Sequence, residues 1–317
     1  MSRPSVVAVI NTFNRKSCLP DAVCSVFEQT VPVVKLVVID DGSTDGTEEV
    51  MQALVAEAPV PLEYKRFGNA GLYPSRNRGL DAAEGDYVAF LDDDDVWHPS
   101  HIERCLELAM RFPEAVVIAG FIGRYGQVNP IMPAERLLAE FQLLKGNGEG
   151  IRIRKACKEI NRIFFATHMS ASLLKTSCAQ HVRFDNNMKL RGDVLIIWKM
   201  ACEGDIILDT SIHAWAKVVP NSLSSGIDKS IDPGAYHQMR AQASYWQAYA
   251  LEKVIGERRR REAPNLYKDL GSALLGGSFH YRRSGQRLKA LKNGIRAFYI
   301  YPSRDGILNL GKIILGL

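Results

Sequence analysis

Paired cysteines are the first thing this chain lacks. Its six cysteines (Cys18, Cys24, Cys105, Cys157, Cys178 and Cys202) are scattered along 317 residues, with no CxxC pair and no histidine at zinc-ligand spacing. That pattern argues against a disulfide framework or a structural zinc module and for a reducing compartment. No apolar stretch reaches the roughly 20 residues that span a bilayer. The apolar tail, residues 307–317, is short and interrupted by Lys312. The first strand is expected from Ser5, which leaves no room for a signal peptide. Low-complexity tracts and internal repeats are also missing, as are GxxxxGK[ST] and a GxGxxG following a strand, so neither a P-loop nor a dinucleotide fingerprint is supported. A cytoplasmic globular protein of ordinary composition is expected.

An excess of one charge is nearly lacking over most of the chain and marked at its end. The net charge of +5 divides into +9 over residues 250–317, with 14 Lys/Arg against 5 Asp/Glu, and −4 over residues 1–249. A basic C-terminal module suggests an anionic partner such as a membrane surface or a lipid-linked phosphate, although surface helices often carry this much Lys and Arg. Nucleic acid is not expected, because the basic segments lack interleaved aromatic residues.

What is present begins with short β-branched runs. Residues 6–10 and 34–39 look like buried parallel strands, and 61–65 and 87–91 look like two more. Apolar residues at helical spacing fill 19–29, 47–58 and 75–83 between them, then 101–111 ahead of a strand at 115–121. Strand–helix alternation of this kind describes an open, mostly parallel α/β sheet that binds ligands at the carboxyl ends of its strands. The pattern weakens over residues 123–150, a helix returns at 194–201, and beyond about Pro233 the chain turns helical and basic, with breaks expected near Gly276-Gly277 and at Pro302. A boundary near Ile231 divides an α/β domain, 1–231, from a helical C-terminal region, 232–317.

Four consecutive carboxylates, Asp92 to Asp95, end the apolar run 87–91. Like charges this close repel and raise each other's pKa, and a divalent cation relieves that repulsion. Mg²⁺ or Mn²⁺ is typically held by one or two carboxylates, with substrate phosphates completing its shell. A solvated acidic turn with an aspartate helix cap is the alternative. A second acidic loop, Asp40-Asp41-Gly42-Ser43, ends the strand at 34–39. Two such loops on neighbouring strands converge at one sheet edge, one suited to a base or ribose and the other to metal-bound phosphates.

Four motifs occur in order: Val9-Ile10-Asn11-Thr12-Phe13-Asn14-Arg15, Val38-Ile39-Asp40-Asp41-Gly42-Ser43, Asn69-Ala70-Gly71 through Arg76-Asn77-Arg78-Gly79, and Phe90-Leu91 followed by Asp92 to Asp95. Together they resemble family 2 glycosyltransferases of the GT-A fold, inverting enzymes that use nucleotide-diphosphate sugars. The resemblance is dense over the first 100 or so residues and thinner to about Ser225. It implies that Asn11, Thr12, Asp41, Arg76, Asp92 and Asp93 bind the donor nucleotide. Asp41 would accept from a pyrimidine base while Asp40 braces the loop, and Arg76 would lie beside base and ribose. Asp94 would be the metal ligand, with Asp93 and Asp95 able to exchange roles within the motif. It further implies a general base on Asp193, next to Gly192 where the family usually has Glu, with Asp185 in reserve.

The implied reaction moves a single sugar from a donor, UDP-linked by expectation, to a glycan or lipid-linked acceptor in bacterial surface-polysaccharide synthesis. A QxxRW element is missing, which argues against a processive synthase. Trp97 and Trp198 fit either a sugar platform or the core, and His168 and His213 either phosphate contact or structure. The late histidine of some relatives has no counterpart in residues 218–224. Two other readings remain: a sugar-nucleotide pyrophosphorylase, which lacks its Gly-rich N-terminal loop here, and a non-catalytic sugar-nucleotide binder.

Overall fold

The computed structural model describes residues 3–124, 150–153, 168–217 and 264–315, with scattered helical positions between 237 and 256. The expectations for residues 125–149, 154–162 and 218–224, and for a boundary at Ile231, lie outside these residues. Two compact units form. One takes Met1–Cys157, Arg162–Asn187 and Ile196–Val219, and the other Lys158–Asn161, Met188–Leu195 and Pro220–Leu317.

The first unit grows from the β-branched runs. β1 (Val6–Thr12), β2 (Lys35–Asp40) and β4 (Tyr87–Asp92) are buried along nearly their whole length, which is why they are apolar on both faces rather than alternating. They pair in parallel with β3 (Leu62–Arg66) outside β2, and Ile10 lies between Val38 and Leu91. The crossovers are α1 (Leu19–Phe27), α2 (Thr47–Ala56) and α3 (Leu72–Ala82). The strand order β3-β2-β1-β4 reverses direction between β1 and β4. A crevice opens outside the carboxyl ends of the strands at such a reversal.

Beyond β4 the sheet is mixed. A two-residue turn, Asp93-Asp94, leads into the short β5 (Asp95–Trp97), followed by α4 (His101–Arg111), β6 (Ala115–Arg124) and β7 (Ile151–Ile153). β8 (Ser172–Lys175) then lies antiparallel between β4 and β6, preceded by a 3-10 turn at Met169–Ala171. After α5 (Thr176–Val182) and α6 (Gly192–Glu203), β9 (Asp205–Ala216) pairs in parallel with β6 and antiparallel with β5 and β7. The parallel sheet read from the sequence is therefore β3-β2-β1-β4. Strand direction farther along is not written in composition, because a buried antiparallel strand is as apolar as a parallel one. α4 buries Ile102, Cys105, Leu106 and Ala109, a single stripe at helical spacing, in the same core as Ile10, Leu36 and Leu91.

The second unit ends in α7 (Pro264–Arg283), α8 (Arg287–Ile300) and α9 (Arg304–Leu315). The break expected at Gly276-Gly277 does not occur, and α7 runs straight through it. A Cβ on Gly277 would lie 2.9 Å from Asn293 Nδ2, so this glycine permits the close approach of α8 instead of ending α7. The chain turns at residues 284–286 and again near Pro302.

Candidate active site

The turn after β2 is held from within. Asp40 is fully buried; its Oδ1 accepts the N–H groups of Gly42 and Ser43 (3.0 and 2.8 Å) and its Oδ2 the Tyr64 hydroxyl (2.6 Å). Burial and this carboxylate together push the Tyr64 hydroxyl above its usual pKa. Gly42 has φ +91°, and a Cβ there would meet Asn69 N at 3.0 Å. Asp41 accepts from the Ala70 and Gly71 N–H groups (3.0 and 2.7 Å) and from Arg78 Nη1 (2.9 Å). A carboxylate offers about four acceptor positions. The residue expected to receive a base is thus engaged by the loop entering α3 and by Arg78, which also lies 4.5 Å over the Phe67 ring.

The acidic cluster assembles at the reversal of strand order, two strands from β2 with β1 between them. The two acidic loops therefore do not follow neighbouring strands as expected, because the chain crosses over β1 before β4. Asp92 ends β4 opposite Asn11 of β1, whose Nδ2 donates to the Ser75 hydroxyl (2.7 Å). Thr12 closes β1 and is buried. Arg76, enclosed within α3, donates from Nη2 to Asp92 Oδ1 (2.6 Å), with its guanidinium 5.6 Å from the centre of the Phe184 ring and 6.0 Å from that of Tyr73. Asp95 is buried and its Oδ2 accepts the Ser170 hydroxyl (2.5 Å), while the oxygen of Ser170 accepts the Asp92 N–H (3.1 Å). His168 Nδ1 lies 3.9 Å from Asp95 Oδ2 and, among the described residues, makes no hydrogen bond although it is enclosed.

These positions set the charges. Burial pushes Asp92 upward, but the Arg76 guanidinium and His168 outweigh it and hold the carboxyl below its usual value. Burial raises Asp93 to about 7, Asp94 and Asp92 adding to the rise while the Thr12 hydroxyl and Arg15 oppose it. Asp94 and Asp95 are raised for the same reasons, burial first and the neighbouring carboxylates next. A site that crowds four half-buried to buried carboxylates and leaves an imidazole nitrogen unused suits a divalent cation. Among the described residues, Asp92, Asp95 and His168 bring ligand atoms within 4.8 Å of one another. Asp94, expected as the ligand, is not one of these three.

Asp193 stands in the first turn of α6, after Gly192. Asp185 caps its own turn, its Oδ1 accepting the Asn187 N–H (2.9 Å). Trp97 and Trp198 are both core residues; Trp97 Nε1 donates to the Ser170 carbonyl (2.6 Å). His213 belongs to β9, where its Nδ1 meets the Ser100 hydroxyl (3.3 Å) beside His98. Ser170 and Tyr64, both engaged with the acidic loops, lie outside the four motifs, and Arg78 lies inside the third but was given no role there. Their contacts depend on strand register, which spacing along the chain does not reveal.

Comparison with known proteins agrees with this architecture. The family model for Glycosyl transferase family 2 matches residues 7–178, more than half of the chain. Curated relatives include a teichuronic acid biosynthesis glycosyltransferase, TuaG of Bacillus subtilis, 33% identical over 120 residues (38% of this chain, 47% of that protein). The succinoglycan biosynthesis protein ExoW of Rhizobium meliloti is 26% identical over 261 residues and 78% of each chain. This chain spans less than half the length of the first curated relatives it matches. Among solved structures, S. aureus TarS 1-349 with UDP-GlcNAc superposes with a TM-score of 0.67 over 98% of this chain and 88% of that one, at 16% identity. The mannosyltransferase PcManGT from Pyrobaculum calidifontis, solved with GDP-Man and Mn²⁺, gives 0.59 over 99% and 86%, also at 16% identity. The fold is therefore GT-A-like, with C-terminal helices beyond it, and the chain belongs to glycosyl transferase family 2.

Proposed function

We propose that the protein is an inverting, non-processive glycosyltransferase that moves one sugar from a UDP-linked donor to a hydroxyl of a glycan or lipid-linked acceptor in bacterial surface-polysaccharide synthesis. The observation that carries this reading is the meeting of Asp92, Asp95, His168 and Arg76 at the carboxyl ends of β1 and β4. UDP is favoured over GDP because TarS was solved with UDP-GlcNAc and with UDP, although PcManGT was solved with GDP-Man. Teichuronic acid and succinoglycan biosynthesis, named for two relatives, support the acceptor class. The basic C-terminal region supports work at the inner face of the cytoplasmic membrane.

In this reading Asp92, Asp95 and His168 would hold Mn²⁺ or Mg²⁺. Asp94 is the remaining candidate ligand on the same turn. The bound cation would offset negative charge on the departing diphosphate. Asn11, Thr12 and Asp93 line the nucleotide side. Arg76 keeps Asp92 ionised, and Asp41 with Arg78 shapes the loop at residues 68–71 beside the base. Asp193 takes the proton of the acceptor hydroxyl as its oxygen attacks the anomeric carbon from the face opposite the phosphate. The glycosidic C–O bond forms as the bond to the diphosphate breaks.

Calorimetric titration of UDP and GDP, each with Mn²⁺ or EDTA, tests the donor site in the wild type, Asp94→Ala and Asp95→Ala. Metal-dependent binding of UDP, lost in Asp95→Ala, is expected. Loss in Asp94→Ala alone would return the ligand to Asp94, and no nucleotide binding under any condition would overturn the assignment. A non-catalytic binder is the second reading, favoured by Gly192 in place of the usual Glu. Asp193→Asn separates the two, because an enzyme loses turnover and keeps donor affinity.

A further inference from the structure

Helices usually turn their larger apolar side chains inward. α8 and α9 do the reverse. The buried positions of α8 are Ala290, Asn293, Gly294 and Ala297, and those of α9 are Gly306, Asn309 and Ile313. Small and polar groups close this packing: Asn309 Nδ2 donates to the Ser278 hydroxyl (2.8 Å), which donates to the Ala290 carbonyl (2.7 Å). Most of the large apolar side chains face solvent, Ile313 and the partly buried Leu291 being turned inward. Leu288, Ile295 and Tyr299 stand at i, i+7 and i+11, one stripe of α8, with Leu288 85% and Tyr299 86% exposed. On α9, Ile307 and Ile314 are separated by two turns, and Ile314 and Leu315 are 70% and 73% exposed. Single exposed apolar residues are ordinary, but a grouped apolar face marks an interaction surface.

The charges around this face select its occupant. α8 and α9 carry six Lys or Arg residues and one acid, Asp305. Lys292 lies within the α8 stripe, and Lys312 precedes the Ile313–Leu315 end of α9. A second copy of the same face would bring cation against cation. An anionic lipid surface would meet both features, apolar side chains entering the acyl boundary while the long Lys and Arg stems reach headgroup phosphates. Among the described residues no helix is long and apolar enough to cross a membrane, so these helices would lie on the bilayer. We propose that the outward faces of α8 and α9 dock the protein on an anionic bilayer. This gives a named surface to the membrane association argued above from net charge, and it does not depend on the donor-site reading.

Co-sedimentation of the full chain with phosphatidylcholine vesicles, with or without phosphatidylglycerol, tests this in the absence of nucleotide. Binding is expected only with phosphatidylglycerol present, weakened by salt, and reduced about tenfold or more by Leu288→Ser combined with Ile314→Ser. Lys292→Glu combined with Lys312→Glu is expected to weaken it similarly. All four positions are exposed, so circular dichroism should match the wild type. Binding retained by both double variants, no binding to either vesicle, or a dimer abolished by the apolar double variant would each overturn the proposal. Because nucleotide binding is read separately, a failure of the transferase assignment would leave this result standing.

Discussion

Asp41 and Gly42 show how much of the candidate site rests on single side chains. Asp41 joins two backbone N–H groups and a guanidinium, so Asp41→Asn removes the charge and offers Arg78 no anion. Urea denaturation should register a loss of about 2 kcal/mol, between a lost charge-assisted hydrogen bond and a broken buried pair. Gly42→Ala places a methyl group against the Asn69 backbone at a φ of +91°. A penalty of about 1–3 kcal/mol is expected from strain at such a φ, with weakened nucleotide binding on calorimetry. Ser170→Ala strips the buried Asp95 carboxyl of its donor and should cost about 1–3 kcal/mol by the same denaturation assay. Asp41, Gly42 and the carboxylates 92–95 were legible as motifs. Ser170 was not, and Arg78, though part of the third motif, gave no sign of its pairing with Asp41, because a serine or an arginine acquires such a role only through what folding places beside it.

At the scale of the element, α4 carries a pH dependence. His101 is buried against Trp97 (ring centres 4.7 Å apart), and burial, with a smaller effect of His213, lowers its pKa to about 3. The unfolded chain takes up that proton near pH ~6.5. Between these two values the unfolded state binds the extra proton, so stability falls as pH falls through the window, by at most about 1.4 kcal/mol per pH unit. His101→Phe removes this dependence. Its stability relative to wild type should improve steadily as pH drops from about 6.5, as measured by denaturant midpoints across pH. The helix itself was legible from its apolar stripe. The same kind of signal marked β1, β2 and β4, whose runs are buried on both faces. β8 offered only four residues, and nothing in them distinguishes an antiparallel insertion from a parallel strand.

At the scale of the whole molecule, donor binding and folding are linked, since a ligand that binds only the folded chain stabilises it by about 2.7 kcal/mol at a hundredfold excess over its dissociation constant. UDP with Mn²⁺ should therefore raise the melting temperature by more than UDP with EDTA, and thermal melts of wild type and Asp95→Ala check this. The sequence by itself determined the four ordered motifs, the parallel character of the first strands though not their order, and the basic character of the C-terminal helices, because apolar periodicity and charge are local properties. Tertiary structure alone decided that His168 and Ser170 join Asp92 and Asp95. The antiparallel register of β8, Leu173 against Ala89, carries the residues just before it to the carboxyl end of β4. It also decided that α8 and α9 turn most of their large apolar residues outward, since which face of a helix is buried depends on what packs against it.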